Sequence, residues 1–365
     1  MSQTLVSIIV PCYNVEAYVY RALESVFNQT HKNWECLVID DGSKDNTLEQ
    51  MKLWAEKDSR FKFYTQENKG LSITRNNGLK IAKGDYIYFF DSDDLLDESA
   101  LENLMLIANK DIDIVIGKNA VTLGQNMIVT ECLDHYHIPF KKLTNKNKEL
   151  IKLIIEQPIS CVAWNKLYTK SFLDTHQLVF KENLLHEDEL WHFETFYHAK
   201  AIVFNNIPTY YYNGSNINSI TNNFKLKNLE AYFQIIEVIF NKYYNNNSNS
   251  FYKEFSSAYI THFQIRTIRH GFNKITKKLK KKASALIKLN FKKVDPSRNK
   301  LVLDIEIEEL QYNFKIVKLL KPKTILTAIR YFESTKKMKI FKGNVLKQKA
   351  MTINKQKNRV INKVF

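Results

Sequence analysis

The sequence predicts an α/β fold: a mainly parallel sheet with flanking helices, followed by a mostly helical, lysine-rich C-terminal region. Three observations carry this expectation. Through the first hundred residues, short β-branched apolar runs alternate with amphipathic helical stretches, the pattern of a parallel sheet covered on both faces. Each apolar run ends in a loop rich in Asp, Asn, Ser and Gly. Charge is also segregated along the chain. Met1 to Ile265 carries 26 basic and 32 acidic residues, a net of −6, whereas Arg266 to Phe365 carries 28 basic and 6 acidic, a net of +22. The overall excess of +16 is therefore a property of the last hundred residues.

The elements follow in order. Leu5 to Val10 is a β-branched run ended by Pro11, as expected for a buried strand. Asn14 is expected to cap a helix through VEAYVYRALESVFNQ, with Tyr18, Ala22, Val26 and Phe27 as its apolar stripe. Trp34 to Ile39 is the second strand and Asp40-Asp41-Gly42-Ser43 its polar loop. Leu48 to Ala55 is the second helix, behind the capping region Asp45-Asn46-Thr47. Phe61 to Tyr64 is the third strand. Asn68-Lys69-Gly70 then turns the chain into a helix over Ser72 to Ala82, ended at Gly84-Asp85, and Tyr86 to Phe90 is the fourth strand. Asp94 or Asp97 caps the next helix, through Leu101, Leu104 and Met105. Beyond Thr221 the pattern is helical, Leu226 to Tyr244 and Phe251 to Gly271, with the polar break Asn245 to Ser250 as the loop between. A chain of 365 residues, 44% hydrophobic, with only 9 Gly and 6 Pro, can build a large core and is neither disordered nor collagen-like.

Parallel sheets bind ligands at the carboxyl ends of their strands, so the loops after the first four strands should converge on one cleft. They supply Pro11-Cys12-Tyr13-Asn14, Asp40-Asp41-Gly42-Ser43, Asn68 with Arg75 a turn into the next helix, and Asp91-Ser92-Asp93-Asp94. No GxxxxGK[ST] and no GxGxxG motif is present, so phosphate is not held by a glycine-rich cradle. A carboxylate cluster at a strand end suits Mg²⁺ or Mn²⁺, which take oxygen ligands and keep substrate phosphates as further ligands. If the strand continues its alternation, Asp91 and Asp93 face the cleft while Ser92 and Asp94 face away. Asp-rich turns also serve as plain helix caps and β-turns, and a lone DxD would carry little. Two such loops at neighbouring strand ends, with Arg75 between them, carry more.

The segments VSIIVPCYNVEAYVYRALESVFNQT, WECLVIDDGSKDNT, NKGLSITRNNGL and AKGDYIYFFDSDDLL closely resemble glycosyltransferase family 2, inverting enzymes of the GT-A fold, in order and spacing over residues 5 to 97. WNKLYTKSFL and HEDELWHFETFYHAK extend the resemblance to about Thr221, through the acceptor half of bacterial members that build capsules, lipopolysaccharide, wall polymers or protein-linked glycans. The implied organisation is a catalytic domain over 1–222, with a nucleotide-sugar half at 1–97 and an acceptor half at 98–222, and a helical region over 223–365. The resemblance also implies roles. Tyr13 and Asp41 would contact the nucleotide base or ribose with Pro11 shaping the wall. Asn68 and Arg75 would lie near the nucleotide and diphosphate. Asp91 would reach the ribose or donor sugar, with Ser92 beside it, and Asp93, with Asp91, would ligate Mn²⁺ or Mg²⁺. Asp188 would be the catalytic base and Glu187 an acceptor contact or alternative base. Asn213 and Gly214 stand where relatives often carry a basic residue after the aromatic run, so a diphosphate clamp is not expected there, though Ser215 and Ser219 are near enough in sequence to approach the donor.

The chemistry fits those residue types independently of the resemblance. Displacing a nucleoside diphosphate from an anomeric carbon calls for a divalent ion against the leaving group and a carboxylate to take the acceptor hydroxyl's proton. One base opposite the leaving group gives single displacement with inversion, so no covalent nucleophile is sought. Around the acceptor, Trp164 and Trp191 are candidates for stacking on a sugar ring, against core packing with Phe193, Phe196 and Tyr197. Lys166 is a candidate contact to diphosphate or acceptor, against a plain surface lysine, and His186 adjoins the base. His186, His192 and His198, six apart, do not share one helical face and do not predict a second metal site. Cys12, Cys36, Cys132 and Cys161 lack CxxC spacing and are expected as free thiols.

In the tail, KITKKLKKKASALIKLNFKK sets Ile275, Leu279, Ala283, Leu286, Ile287 and Phe291 along one stripe and nine lysines around it. A basic amphipathic helix over Lys274 to Lys293 is expected to lie on an anionic membrane surface, against the alternative that its stripe packs on the body. A second candidate, Phe314 to Phe332, is interrupted at Pro322. The start of the chain carries no signal-like segment and no run reaches eighteen apolar residues. The expected location is therefore cytoplasmic and peripheral at the inner face of the plasma membrane. The expected partners are a nucleotide-sugar donor, UDP-sugar by resemblance, and a glycan or lipid-linked acceptor, with an oligomer left open. The readings set against this are a nucleotidyl- or glycerophosphate-type transferase and a nucleic-acid-binding protein. The second is disfavoured because the tail has few aromatics and the aspartates would repel phosphate.

Overall fold

The structure is a computed structural model that describes residues 4–123, 128–133, 143, 160–214 and 226–271. Among the described residues, nine strands form one sheet in the order β3-β2-β1-β4-β8-β6-β9-β5, with β7 paired to β6. The strands are β1 Val6–Cys12, β2 Trp34–Asp40, β3 Phe61–Thr65, β4 Tyr86–Phe89, β5 Leu95–Leu96, β6 Ile114–Leu123, β7 Ile128–Leu133, β8 Lys166–Thr169 and β9 Ile202–Asn213. The half expected from sequence is fully parallel, β1 pairing with β2 and β4, and β2 with β3. Beyond β4 the sheet turns mixed. β8 runs antiparallel to both β4 and β6, whereas β6 and β9 are parallel. This gives the α/β architecture its second half, which strand periodicity in the first hundred residues does not describe.

Helices α1 Val19–Phe27, α2 Thr47–Lys57, α3 Leu71–Ile81, α4 Ala100–Met105, α5 Lys170–Thr175 and α6 Glu187–His198 flank the sheet. After β9 come α7 Leu226–Ile239, a π-helical turn Phe240–Asn245 and α8 Ser250–Gly271. The break after Asn245 is thus a loop between helices, as expected. β1 and β2 are buried along their whole length. Alternate residues divide between two cores: Val6, Ile8, Val10, Cys36 and Val38 pack with α1, α2 and α4, while Ile9, Leu37 and Ile39 pack on the side of α6, α7 and α8. Both faces being covered explains why these strands read as continuous apolar runs.

Two local expectations are corrected. Asn14 does not cap a helix. It adopts φ 52, its Oδ1 accepts from the Lys44 N–H at 2.8 Å, and α1 begins only at Val19. The side-chain amide is used to tie the loop after β1 to the loop after β2. With the start displaced, the buried stripe is Val19, Ala22, Leu23 and Val26, and Tyr18 and Phe27 lie at its margin. Neither candidate caps α4, whose N-terminal flanking residue is Ser99: Asp97 accepts from the Ser99 N–H and hydroxyl in the turn before the helix, and Asp94 is used elsewhere. No described helix is long and apolar enough to cross a membrane. The lysine-rich stretch 274–293, the stretch 314–332, Ser215 and Ser219 lie outside the described residues.

Candidate active site

The parallel half brings its loops together as predicted, and hydrogen bonds show how. Asp40, at the end of β2, accepts from the Ser43 N–H and from Thr65 Oγ1 on β3. Asp41 is buried and turned into the loop before α3: its carboxylate accepts from the Lys69 and Gly70 N–H groups and from Gln66 Nε2, each at 2.8 Å. Gly42 makes this approach possible. Its φ is +74, and a Cβ there would lie 2.9 Å from the Asn68 backbone nitrogen. Asp41 therefore holds the loop that carries Asn68, which is exposed.

The segment after β4 obeys the expected alternation. Asp91 and Asp93 remain partly exposed, whereas Ser92 and Asp94 are buried. Ser92 Oγ donates to the Pro11 carbonyl at 2.9 Å, which locks this segment to the end of β1 and leaves the hydroxyl inward. Asp94 accepts from Tyr210 OH at 2.6 Å and from the Asn213 N–H at 2.8 Å. Burial, then the neighbouring Asp93 and Asp91, raise its pKa well above the ordinary carboxylate range. Tyr210 OH in turn accepts from the Asp91 N–H, and Asn213 Nδ2 donates to the Asp93 carbonyl. The end of β9 is thus a bracket for the aspartate loop, which accounts for Asn213 at a position where a basic residue was looked for.

Arg75 joins this loop to the first turn of α6. It projects from α3, is only 3% exposed, and its Nη2 donates to Asp91 Oδ1 while Nη1 donates to Glu187 Oε1, both at 2.9 Å. Its guanidinium also lies over the Phe180 ring, 5.1 Å from the centroid. Arg75 and Glu187, 112 apart in sequence, are brought together by this contact. Asp188 follows in the first turn of α6, its Oδ1 accepting from the Glu189 N–H at 2.9 Å. Burial raises its pKa well above that of an ordinary aspartate; Glu187 and Glu189 add to the effect and Arg75 opposes it. Lys166 is no surface lysine. It is 2% exposed, its ammonium donates to the carbonyls of Ser160 and Val162, and burial pulls its pKa down to about 8 against the attraction of Cys161 and Asp188.

The remaining predicted residues divide. Tyr13 is 47% exposed beside the loop after β1. Trp164 stacks on Tyr210 at 4.2 Å and lies parallel to Tyr212 at 5.7 Å, so it belongs to the same bracket. Trp191 is a core residue: it stacks on Phe180, meets Phe89 edge-on and donates to Tyr168 OH, which leaves no face for a sugar. His186 closes the N-terminal end of α6 with its ring against Tyr232. Sequence reading passed over Asn165. It is 1% exposed, accepts from Tyr88 OH and Thr209 Oγ1, donates to the Lys118 carbonyl and to Asn119 Oδ1, and so fixes the strands behind the cleft. Its place inside the WNK segment was the available signal. Cys12 and Cys36 are free thiols, as expected, and burial raises the Cys12 thiol to about 12.

As donors, Asp91 and Asp93 fit a divalent cation of the Mg²⁺ or Mn²⁺ class, being hard oxygen groups at the mouth of the cleft. Among the described residues no three His, Cys, Asp or Glu side chains gather into a cage. That donor set suits an ion completed by phosphate oxygens rather than by protein alone.

Residues 7–174 match glycosyl transferase family 2. The chain is 30% identical to Bacillus subtilis EpsH, named a putative glycosyltransferase, over 274 residues, 73% of this chain and 77% of that protein. It is 34% identical to the Staphylococcus aureus poly(ribitol-phosphate) beta-N-acetylglucosaminyltransferase TarP over 201 residues, 53% of this chain and 58% of that one. Among solved structures it is similar to residues 1–349 of S. aureus TarS in complex with UDP-GlcNAc, with a TM-score of 0.67 at 20% identity, covering 86% of this chain and 90% of that one. That likeness shows the fold, GT-A. With the strand-end aspartates, the Arg75 bridge and this identity over most of the EpsH chain, the protein belongs to glycosyl transferase family 2 and is a glycosyltransferase.

Proposed function

We propose that the enzyme transfers a sugar, N-acetylglucosamine from UDP-GlcNAc in the first instance, to a hydroxyl of a growing glycan or lipid-linked oligosaccharide by single displacement with inversion. The observation that carries the mechanism is the Arg75 bridge, because one buried cation draws the donor-side Asp91 and the acceptor-side Glu187 to the same place. Asp188, next to Glu187, is the base. Burial raises its affinity for a proton, which suits a carboxylate that must accept one from an alcohol. Glu187, committed to Arg75, orients the acceptor side. Asp91 and Asp93 would hold the divalent cation, which when bound neutralises the charge that grows on the leaving diphosphate. Tyr13 and Asn68 face the nucleotide, on the two loops that Ser43, Gly42 and Asp41 hold together. The remainder of the rate comes from holding donor and acceptor in register.

UDP-GlcNAc is supported by two comparisons: TarS is solved with it, and TarP is named for the transfer of the same sugar. The basic tail is read as the part that keeps the enzyme at an anionic membrane, where a lipid-linked acceptor would be found. The domain division follows the same reading, with 1–222 catalytic and 223–365 helical and accessory. A screen of nucleotide sugars with Mn²⁺ or Mg²⁺ tests the donor: turnover of UDP-GlcNAc above the other donors is expected, and preference for a guanosine or thymidine diphosphate sugar would overturn it. Asp188→Asn should abolish transfer and leave UDP binding intact, whereas retained transfer would place the base elsewhere.

A further inference from the structure

The first turn of α6 is held from outside the sheet. His186, the residue before Glu187 and Asp188, has φ 62 and ψ 42, a left-handed conformation uncommon for any residue but glycine. Its ring is gripped twice from α7. Nε2 lies 3.0 Å from Asn228 Nδ2, and the ring plane lies 11° from that of Tyr232 with centroids 4.6 Å apart. Asn228 is buried, and Tyr232 stands four residues later, so both grips come from one face of the helix. Tyr232 packs edge-on against Phe263 of α8, and Tyr259 of α8 donates to the Glu189 carbonyl at 3.3 Å. The route to the carboxylate is short. The His186 carbonyl accepts from the Glu189 N–H at 3.1 Å, and that same N–H donates to Asp188 Oδ1.

We infer that His186 is a positioning residue: clamped by Asn228 and Tyr232, it holds the Glu187-Asp188 turn in the orientation the reaction needs. The helical pair α7 and α8 is then a working part of the active site, although none of its residues need touch a substrate. A left-handed residue persists only where its surroundings over-determine it, and such positions gather at functional sites. A contact with the acceptor is a weaker account of His186, because its ring face and one ring nitrogen are already engaged by α7. The inference rests on Asp188 being the base.

The test uses the full-length enzyme with UDP-GlcNAc, kcat being expressed per folded molecule and donor affinity measured by calorimetry. His186→Ala and Asn228→Ala should each lower kcat by about 10- to 100-fold with donor affinity unchanged, since misplacing a reacting group by an ångström costs on the order of 10²-fold. The double variant should be no worse than the poorer single one, as for residues acting through each other. His186→Phe, which keeps the stacked ring, should recover part of the rate. A wild-type kcat for His186→Ala, or a loss of rate matched by loss of donor affinity, overturns the inference. If Asp188→Asn is inactive while the His186 and Asn228 variants are fully active, the clamp is refuted and the base stands. If Asp188→Asn retains activity, the base assignment fails and the inference falls with it.

Discussion

At the scale of single residues, Asp188 sets chemistry against stability. Its pKa is raised in the folded enzyme by burial, then by Glu187 and Glu189, so the ionised form that the proposed base must take is the form folding disfavours. The sign follows from linkage. The folded protein binds this proton more tightly than the unfolded chain, so Asp188 subtracts stability as pH rises from the unfolded pKa, about 3.9, through the raised folded one. Asp188→Asn should therefore lose transfer and gain thermal stability at neutral pH, read by a melting curve beside an activity assay; a lower melting temperature would contradict the assigned environment. If Asp188 is the base, as proposed, the pH profile of kcat should fall on acidification at a higher pH than an exposed aspartate would give, because protonation removes it. Arg75 opposes that protonation and should be intolerant even of lysine. Arg75→Lys keeps the charge but cannot span Asp91 and Glu187 with one planar group, so it should lower kcat and weaken UDP binding together.

At the scale of elements, the parallel half was legible and the mixed half was not, for a physical reason. β1, β2 and β4 are buried on both faces and announce themselves as unbroken apolar runs, with diagnostic polar loops at their carboxyl ends. β6, β8 and β9 are recruited by pairings distant in sequence, Ile114 with Ile202 and Tyr86 with Thr169, which no local period encodes. The candidate site divides in the same way. Asp91 and Asp93 follow from strand alternation, but the Arg75–Glu187 bridge and the support of Asp94 by Tyr210 depend on how the halves close. Trp191 stood between sugar platform and core packing because an aromatic on a helix looks alike from sequence whether it faces cleft or core, and its contacts with Phe180 and Phe89 make it core. The bracket on β9 gives a measurable consequence. Tyr210→Phe removes the hydroxyl that serves both Asp94 and the Asp91 N–H, leaving buried polar groups unpaired, and should cost about 1–3 kcal/mol in denaturant unfolding. Gly117→Ala strikes the strand interior instead. Its Cβ would stand 2.2 Å from both Asn165 Oδ1 and Thr209 Oγ1, so the hub must break, and a loss of about 1–3 kcal/mol is expected from overpacking.

At the scale of the whole molecule, an acidic body is joined to a basic tail, and we propose that the two divide catalysis from location. The body carries −6 over its first 265 residues, with its carboxylates at the strand ends and at the start of α6, where a cation and a nucleotide sugar would bind. The helical pair α7 and α8 closes the second core through Phe193, Phe255 and Tyr259. The side chains named in this packing all lie before residue 274, and an enzyme shortened by residues 274–365 should bind UDP and turn over donor with a soluble acceptor as the full chain does. It should not sediment with vesicles containing anionic lipid. The removed segment holds most of the +22, and each lysine near such a surface contributes about 1 kcal/mol, a contribution that shrinks as salt shortens the Debye length from about 10 Å at 0.1 M. The full-length protein should accordingly bind anionic vesicles, release from them as ionic strength rises, and ignore neutral ones. Equal sedimentation of the two chains would show that the tail's lysines are merely solvated, and loss of donor turnover on truncation would show that the tail belongs to the catalytic unit.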